Sequence, residues 1–298
     1  MSFALKMIKA AMKLQPSIQL GEKTDYAKNR AIIDNPKNQI GVVKTVKIEP
    51  ATFGGAECEI LTPEKVASDS IIFFIHGGGY AYGSVRSSRG YASVLADEMG
   101  MRVITITYHL APENRWPAGI DDCFAAYKEI AGTYKESQIA LAGESAGGTM
   151  VLVTALRAKD AGIRLPSCVA AFSPCTNMAE DLPSRKKNEG AMVLPYANAV
   201  DMLREIYLDK DTDPKNPYVS PYFGDYTGFP PVYFTADRGE VLFDDTDMLV
   251  PKVKAAGVEV EYDIYEDTFH SFPTLGRVCP ESTEALEKTK AFLLEHLI

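Results

Sequence analysis

The stretch IALAGESAGGTMVLVTAL, residues 139–156, decides how the rest of the chain is read. It runs for 18 residues with Glu144 as its single charge, long and apolar enough to suggest a membrane span. Its centre argues otherwise. Gly143-Glu144-Ser145-Ala146-Gly147 places turn-forming residues in the middle of the apolar run, so the segment predicts a strand at Ile139–Ala142, a sharp turn, and a helix from Ala146. The pattern G-x-S-x-G in that setting is a nucleophile elbow. A strained strand-to-helix turn lifts the serine hydroxyl out of the fold, and the flanking glycines avoid the clashes that side chains would make. Alone the pentapeptide is weak evidence, because glycine and serine are common. Between an apolar strand and an apolar helix it is strong. The helix also turns the positive end of its dipole toward Ser145, which favours an oxyanion there.

Outward from the elbow, apolar runs at Ile71–Ile75, Val103–Thr107, Ile139–Ala142, Cys168–Phe172, Val232–Thr235 and Glu259–Tyr265 alternate with helical segments. The helices fall near 87–99, 118–131, 146–160, 245–256 and 281–297. Strands that are apolar throughout and separated by helices predict an α/β fold with a mostly parallel central sheet flanked by helices on both faces. Ahead of them, alternating segments at Val43–Ile48 and Ala56–Leu61 meet through Phe53-Gly54-Gly55, a predicted hairpin. Two helical segments, about 3–14 and 23–34, stop at Asn35-Pro36. A further helix over 195–208, opening at Pro195 behind the charged stretch Ser184–Gly190, breaks the alternation. Such an insertion lies beyond the carboxyl ends of the strands, where α/β proteins bind ligands, and with the N-terminal helices it could form a lid. No fixed-period repeat is visible.

Composition narrows the classes. The chain has 298 residues, 46% hydrophobic and 24% charged, enough to bury about 75% of its unfolded surface without staples. Thirty-one lysines and arginines against 40 acids give a net charge of −9. That disfavours nucleic acid and anionic membrane as main partners, since both need a basic surface. The five cysteines lack any C-x-x-C pair, which argues against a disulfide framework or zinc site and for a cytoplasmic setting. The opening MSFALKMIKAAMKL is broken by Lys6, Lys9 and Lys13. It therefore lacks a signal-peptide core and predicts an amphipathic helix.

His76-Gly77-Gly78-Gly79-Tyr80 follows the strand Ile71–Ile75 directly. Consecutive glycines let backbone N–H groups approach a ligand, and an H-G-G-G loop is the usual oxyanion-hole partner of the elbow. A phosphate cradle is the rival, but the chain lacks both G-x-x-x-x-G-K-[ST] and a helix-opening G-x-G-x-x-G. Only four histidines are present, at 76, 109, 270 and 296. His76 reads as support for its loop, His109 as structural, and His296 as a residue of the last helical turn. His270 lies after the last strand, and the order serine–acid–histidine makes it the candidate base. The acid stays open between Asp237 and Glu240, both just past Val232–Thr235; Asp244 or Asp245 reads as a helix N-cap. Scattered histidines offer no metal-ligand spacing, so neither metal nor cofactor is expected.

Several motifs in order, HGGGY (76–80), YHLAPENRWPA (108–118), GESAG (143–147), Ser173-Pro174, Ser220-Pro221, Phe229-Pro230-Pro231 and EVLFDD (240–245), give the chain its likeness. It resembles the hormone-sensitive-lipase-like family of α/β-hydrolases, the bacterial group IV carboxylesterases, from about residue 70 to the C-terminus. The resemblance implies a serine carboxylesterase acting on small to medium acyl esters through an acyl-enzyme. It implies Ser145, Glu240 and His270 as the triad, with Glu240 in the place of the acid motif's usual aspartate and Asp237 as the alternative acid. Gly78, Gly79 and Ala146 would supply the oxyanion hole, with His76, Gly77, Gly143 and Gly147 supporting the loops and Tyr80 and Tyr82 in the substrate pocket. It further implies one α/β-hydrolase domain over 1–298, with a core at about 46–184 and 213–298 and cap segments at about 1–45 and 185–212. A small-molecule ester is the expected partner, and the sequence allows a homodimer. Glu144, His109, Asn114, Cys175 and Asn177 depart from the family's usual residues. Rival readings are a catalytically silent binding protein on the same fold, or an amidase or lactonase on the same triad.

Overall fold

A computed structural model describes residues 1–13, 20–21, 23–191, 193–194 and 198–298. Its frame is an eight-stranded sheet: β1 (Lys47–Phe53), β2 (Ala56–Thr62), β3 (Ile71–Ile75), β4 (Arg102–Thr107), β5 (Ile139–Glu144), β6 (Cys168–Phe172), β7 (Val232–Asp237) and β8 (Val260–Tyr265). The strand order is β1-β2-β4-β3-β5-β6-β7-β8. From β4 to β8 every pairing is parallel; β1–β2 and β2–β4 are antiparallel.

The apolar runs are apolar because both faces of the sheet are covered. Residues of β3, β6 and β7 are buried throughout. Phe73, Ile104, Leu141 and Phe234 face one core with α4 (Ala118–Thr133), α5 (Ala146–Asp160) and α8 (Phe243–Ala255). Phe74, Val103, Phe172 and Tyr233 face the other, with α3 (Val85–Met99) and α9 (Pro280–Leu297). Alternate residues of each strand thus serve opposite layers, as the pleat requires. The stretch 139–156 divides into β5, the elbow and the start of α5, and no described helix is long and apolar enough to cross a membrane.

Some boundaries differ from expectation. The hairpin turns at Gly54-Gly55, both at positive φ, with Phe53 opposite Ala56, the two-residue geometry favoured between twisted strands. Its first strand starts at Lys47 rather than Val43. Val43 N–H instead donates to Ser93 Oγ on α3 at 3.0 Å, and Val46 closes a turn back onto Val43. Neither Asp244 nor Asp245 is an N-cap. Leu242 holds that position, Asp244 accepts from Ser184 N–H at 2.7 Å, and Asp245 is fully buried against Arg185.

Before the sheet stand α1 (Phe3–Lys13) and α2 (Tyr26–Ile33). Leu5 of α1 packs with Phe269 and Phe272, beside the turn that carries His270. The charged stretch after β6 contains a short helix, α6 (Pro183–Lys187), that its composition did not suggest. The expected helix start at Pro195 lies outside the described residues, as does the end of the first helix at Leu14; the later helix is described as α7 (Ala199–Tyr207).

Candidate active site

Ser145, Glu240 and His270 come from the carboxyl ends of three parallel strands, β5, β7 and β8. The elbow is tight. Ser145 has φ 55°, ψ −123°, a strained conformation for a residue with a side chain, and its N–H is held by Phe172 O at 2.8 Å. The flanking glycines are demanded by space: a Cβ on Gly143 would lie 2.6 Å from Gly147 O, and one on Gly147 would overlap Ile75 O. The glycine loop reaches the same place. Gly78 sits at φ 100°, and its carbonyl accepts from Ala81 and Tyr82 N–H at 3.2 and 3.0 Å. The N–H groups of Gly78 and Gly79 donate to nothing among the described residues.

His270 Nε2 lies 2.8 Å from Ser145 Oγ, and its Nδ1 is hydrogen-bonded to Glu240 Oε2. All three residues are buried. Burial opposes a charge on His270, but the facing Glu240 carboxylate, together with Glu144 and Asp245, outweighs it and holds the imidazole pKa above its ordinary value. The second candidate acid is differently employed. Asp237 Oδ2 accepts Thr268 N–H at 2.9 Å and also the Thr268 hydroxyl, while Oδ1 accepts Gly239 N–H at 2.8 Å. It ties the loop before His270 to the loop before Glu240. Asp237 N–H in turn donates to the other Glu240 oxygen at 3.0 Å. Glu240 is therefore fixed at both oxygens, and Asp237 does not reach the imidazole.

The remaining histidines have other partners. His76 is buried, stacks on Tyr108 with ring centres 4.3 Å apart, and faces Gly77 O through Nδ1 at 2.8 Å; burial lowers its pKa to about 4. His109 pairs with Asp122 on an exposed surface, and His296 lies 3.7 Å from Glu259.

A cavity of about 600 Å³ opens beside Ser145 and His270. Tyr82 lines it, as do Leu20, Ile33, Ile40 and Leu194 from the segments outside the sheet. Tyr80 does not: its ring is buried against Tyr207 of α7, centres 3.9 Å apart and nearly parallel. Its expected place in the pocket is corrected accordingly. Glu144, flagged only as a departure from the family's usual residue, accepts Gly77 N–H at 2.5 Å, and burial raises its pKa. It joins elbow to glycine loop. Tyr91 and Ser271 also line the cavity; no motif singled them out, because their position depends on α3 and the turn after His270 folding over the site. Among the described residues no cluster of three or more potential metal ligands exists.

Comparison with known proteins bears on the family and the fold. A family profile described as the α/β-hydrolase fold matches residues 72–274. An acetyl-hydrolase of Streptomyces hygroscopicus is 29% identical over 290 residues, covering 97% of this chain and 95% of its own length. An esterase of Acinetobacter venetianus is 29% identical over 282 residues, covering 94% and 93%. The crystal structure of an esterase from the bacterial hormone-sensitive lipase family superposes with a TM-score of 0.90 at 27% identity, across 100% of this chain and 99% of that one. Motif order, sheet topology and these likenesses lead to one assignment: the chain belongs to the α/β-hydrolase family, among its hormone-sensitive-lipase-like esterases.

Proposed function

We propose that this esterase hydrolyses small to medium acyl esters by a serine mechanism with an acyl-enzyme intermediate. The observation that carries it is the imidazole of His270 set between Ser145 Oγ, at 2.8 Å, and the Glu240 carboxylate. His270 Nε2 takes the serine proton as Oγ attacks the ester carbonyl carbon. Glu240 holds the ring through Nδ1 and stabilises its cation. The carbonyl oxygen becomes an oxyanion received by the N–H groups of Gly78, Gly79 and Ala146, each such donor being worth about 3 kcal/mol in the transition state. The tetrahedral carbon then expels the alcohol oxygen, which takes the proton from Nε2. Water, deprotonated by the same nitrogen, attacks the acyl-serine, and Ser145 leaves with the proton restored.

Segments about 1–45 and 185–212 act as a cap over a core of about 46–184 and 213–298. Leu20, Ile32, Ile33, Ile40, Val193 and Leu194, all lining the cavity, support this division. The names of the relatives, an acetyl-hydrolase and an esterase, favour a short acyl group. Release of p-nitrophenol from the acetate and butyrate esters tests the scheme. Ser145→Ala is expected to lower kcat by at least about 10⁴-fold; turnover undiminished by that change would refute it.

A further inference from the structure

Two of the three oxyanion donors stand on a loop that glycine leaves free to turn over. Gly78 and Gly79, at φ 100° and 61°, have no Cβ to hold a peptide plane in place. What aims each donor is then the carbonyl of the residue before it, because C=O and N–H of one trans peptide are coplanar and point opposite ways. The direction of Gly78 N–H is set at Gly77 O, and that of Gly79 N–H at Gly78 O. The second is settled inside the loop, where Ala81 and Tyr82 N–H close on Gly78 O. The first is held from behind by side chains.

Tyr108 opens the 108–118 motif directly after β4 and is 1% exposed. Its hydroxyl reaches His76 O at 3.0 Å and Gly77 O at 3.3 Å, and its ring stacks on His76. Neither carbonyl oxygen can donate, so the hydroxyl does; burial raises its pKa and keeps the proton on it. His76 Nδ1, facing Gly77 O at 2.8 Å, carries its proton for the same reason. The peptide from His76 to Gly77 is pinned at both ends, its oxygen by Tyr108 and its N–H by Glu144. The next peptide is pinned only at its oxygen, by Tyr108 and His76. Its N–H, that of Gly78, lies on the opposite side and is left for the oxyanion.

We propose that Tyr108 is a positioning residue of the oxyanion hole: its hydroxyl, shared between the carbonyls of His76 and Gly77, keeps the plane between Gly77 and Gly78 turned so that Gly78 N–H meets the oxyanion. Without that hydroxyl, His76 O loses its partner and His76 Nδ1 alone holds Gly77 O. The loss falls on the transition state, because a ground-state carbonyl gains little from one donor's aim. This inference rests on the oxyanion hole proposed above.

Tyr108→Phe removes the hydroxyl and keeps the stacked ring. Two ketones probe the result. The carbonyl of 1,1,1-trifluorobutan-2-one takes up Ser145 Oγ to give a hemiketal oxyanion while His270 receives the proton; butan-2-one binds without that addition. In the variant, kcat/KM for p-nitrophenyl acetate should fall about tenfold, and the inhibition constant of the trifluoro ketone should rise by a similar factor. Butan-2-one should bind as before, and the acid limb of the pH profile should stay in place. Tyr127→Phe is the control: that buried hydroxyl also donates to a backbone carbonyl, Arg164 O at 2.8 Å in the loop entering β6. Both variants should lower the urea midpoint, and only Tyr108→Phe should lose activity. Unchanged kcat/KM and unchanged trifluoro ketone binding in Tyr108→Phe overturn the inference. So does an equal loss for both ketones or in both variants, which marks general loosening, and so does a displaced acid limb, which puts the effect on His270. A wild-type enzyme that hydrolyses p-nitrophenyl acetate but binds the two ketones equally would remove the oxyanion hole itself, and the inference with it.

Discussion

His270 carries the sharpest consequence of the site's electrostatics. As the proposed base it must be neutral, and the facing carboxylate raises its pKa above the ordinary value of about 6.5. The acid limb of kcat/KM should therefore fall above that pH rather than below it, which a pH profile with p-nitrophenyl acetate measures. Glu144 also favours the imidazolium, so Glu144→Gln should shift that limb toward lower pH; an unmoved limb would exclude its influence. Glu240→Gln is expected to lower kcat by about 10³–10⁴-fold, and Asp237→Asn by much less, since Asp237 bridges Thr268 and Gly239 instead of touching the ring. These assignments show what one chain of letters can carry. Ser145 and His270 were legible because strand–turn–helix patterning and chain order mark them. Glu240 became preferable to Asp237 only through the family's spacing, since Asp237 ends the strand that Glu240 follows three residues later and the pattern does not say which of them turns toward the histidine. Tyr80 misled because a tyrosine beside a glycine loop reads the same whether its ring faces a ligand or a packed helix.

Helices and loops outside the sheet were less legible, and they place the site's supports. The short α6 hides in a charged stretch because its central residue is charged and buried at once. Arg185 is almost fully enclosed, 3.3 Å from Asp245, which also accepts the N–H groups of Thr176 and Asn177 at 2.9 Å each. Burial pushes the Asp245 pKa up to about 6 against the pull of Arg185. Asp245→Ala would strand a buried guanidinium and two backbone donors, and should cost about 3–5 kcal/mol in urea unfolding. Helix α7 bears on the glycine loop in a different way. Its Tyr207 stacks on Tyr80, and a Cβ on Gly79 would meet Leu203 Cδ2 at 2.8 Å. Tyr207→Ala should loosen the loop and lower kcat about tenfold, with Tyr207→Phe restoring it because the stack needs the ring and not the hydroxyl. Equal losses in both variants would assign the effect to something other than stacking.

At the scale of the whole molecule, the parallel sheet was the most legible feature, because doubly covered strands must be apolar along their length. Its net charge of −9 acts on every approaching substrate. A neutral ester should show a kcat/KM little changed by salt, whereas the monoester of a dicarboxylic acid should be turned over at least about tenfold more slowly, with the gap narrowing as salt is added. The order of the strands has a consequence of another kind. Ser145 hangs from β5 near the middle of the sheet, but His270 follows β8, which lies at one edge of the sheet, pairs among the described residues with β7 alone and is only partly covered. An edge strand is among the first elements to fray. Rising urea should therefore silence the enzyme while far-UV circular dichroism still reports an intact fold, and removing the urea at that stage should return activity without refolding the core. Loss of both signals at one midpoint would show instead that the edge is as firm as the centre. If the two midpoints separate, the protein carries its histidine on the part of its scaffold that yields first, and its working range ends before its structure does.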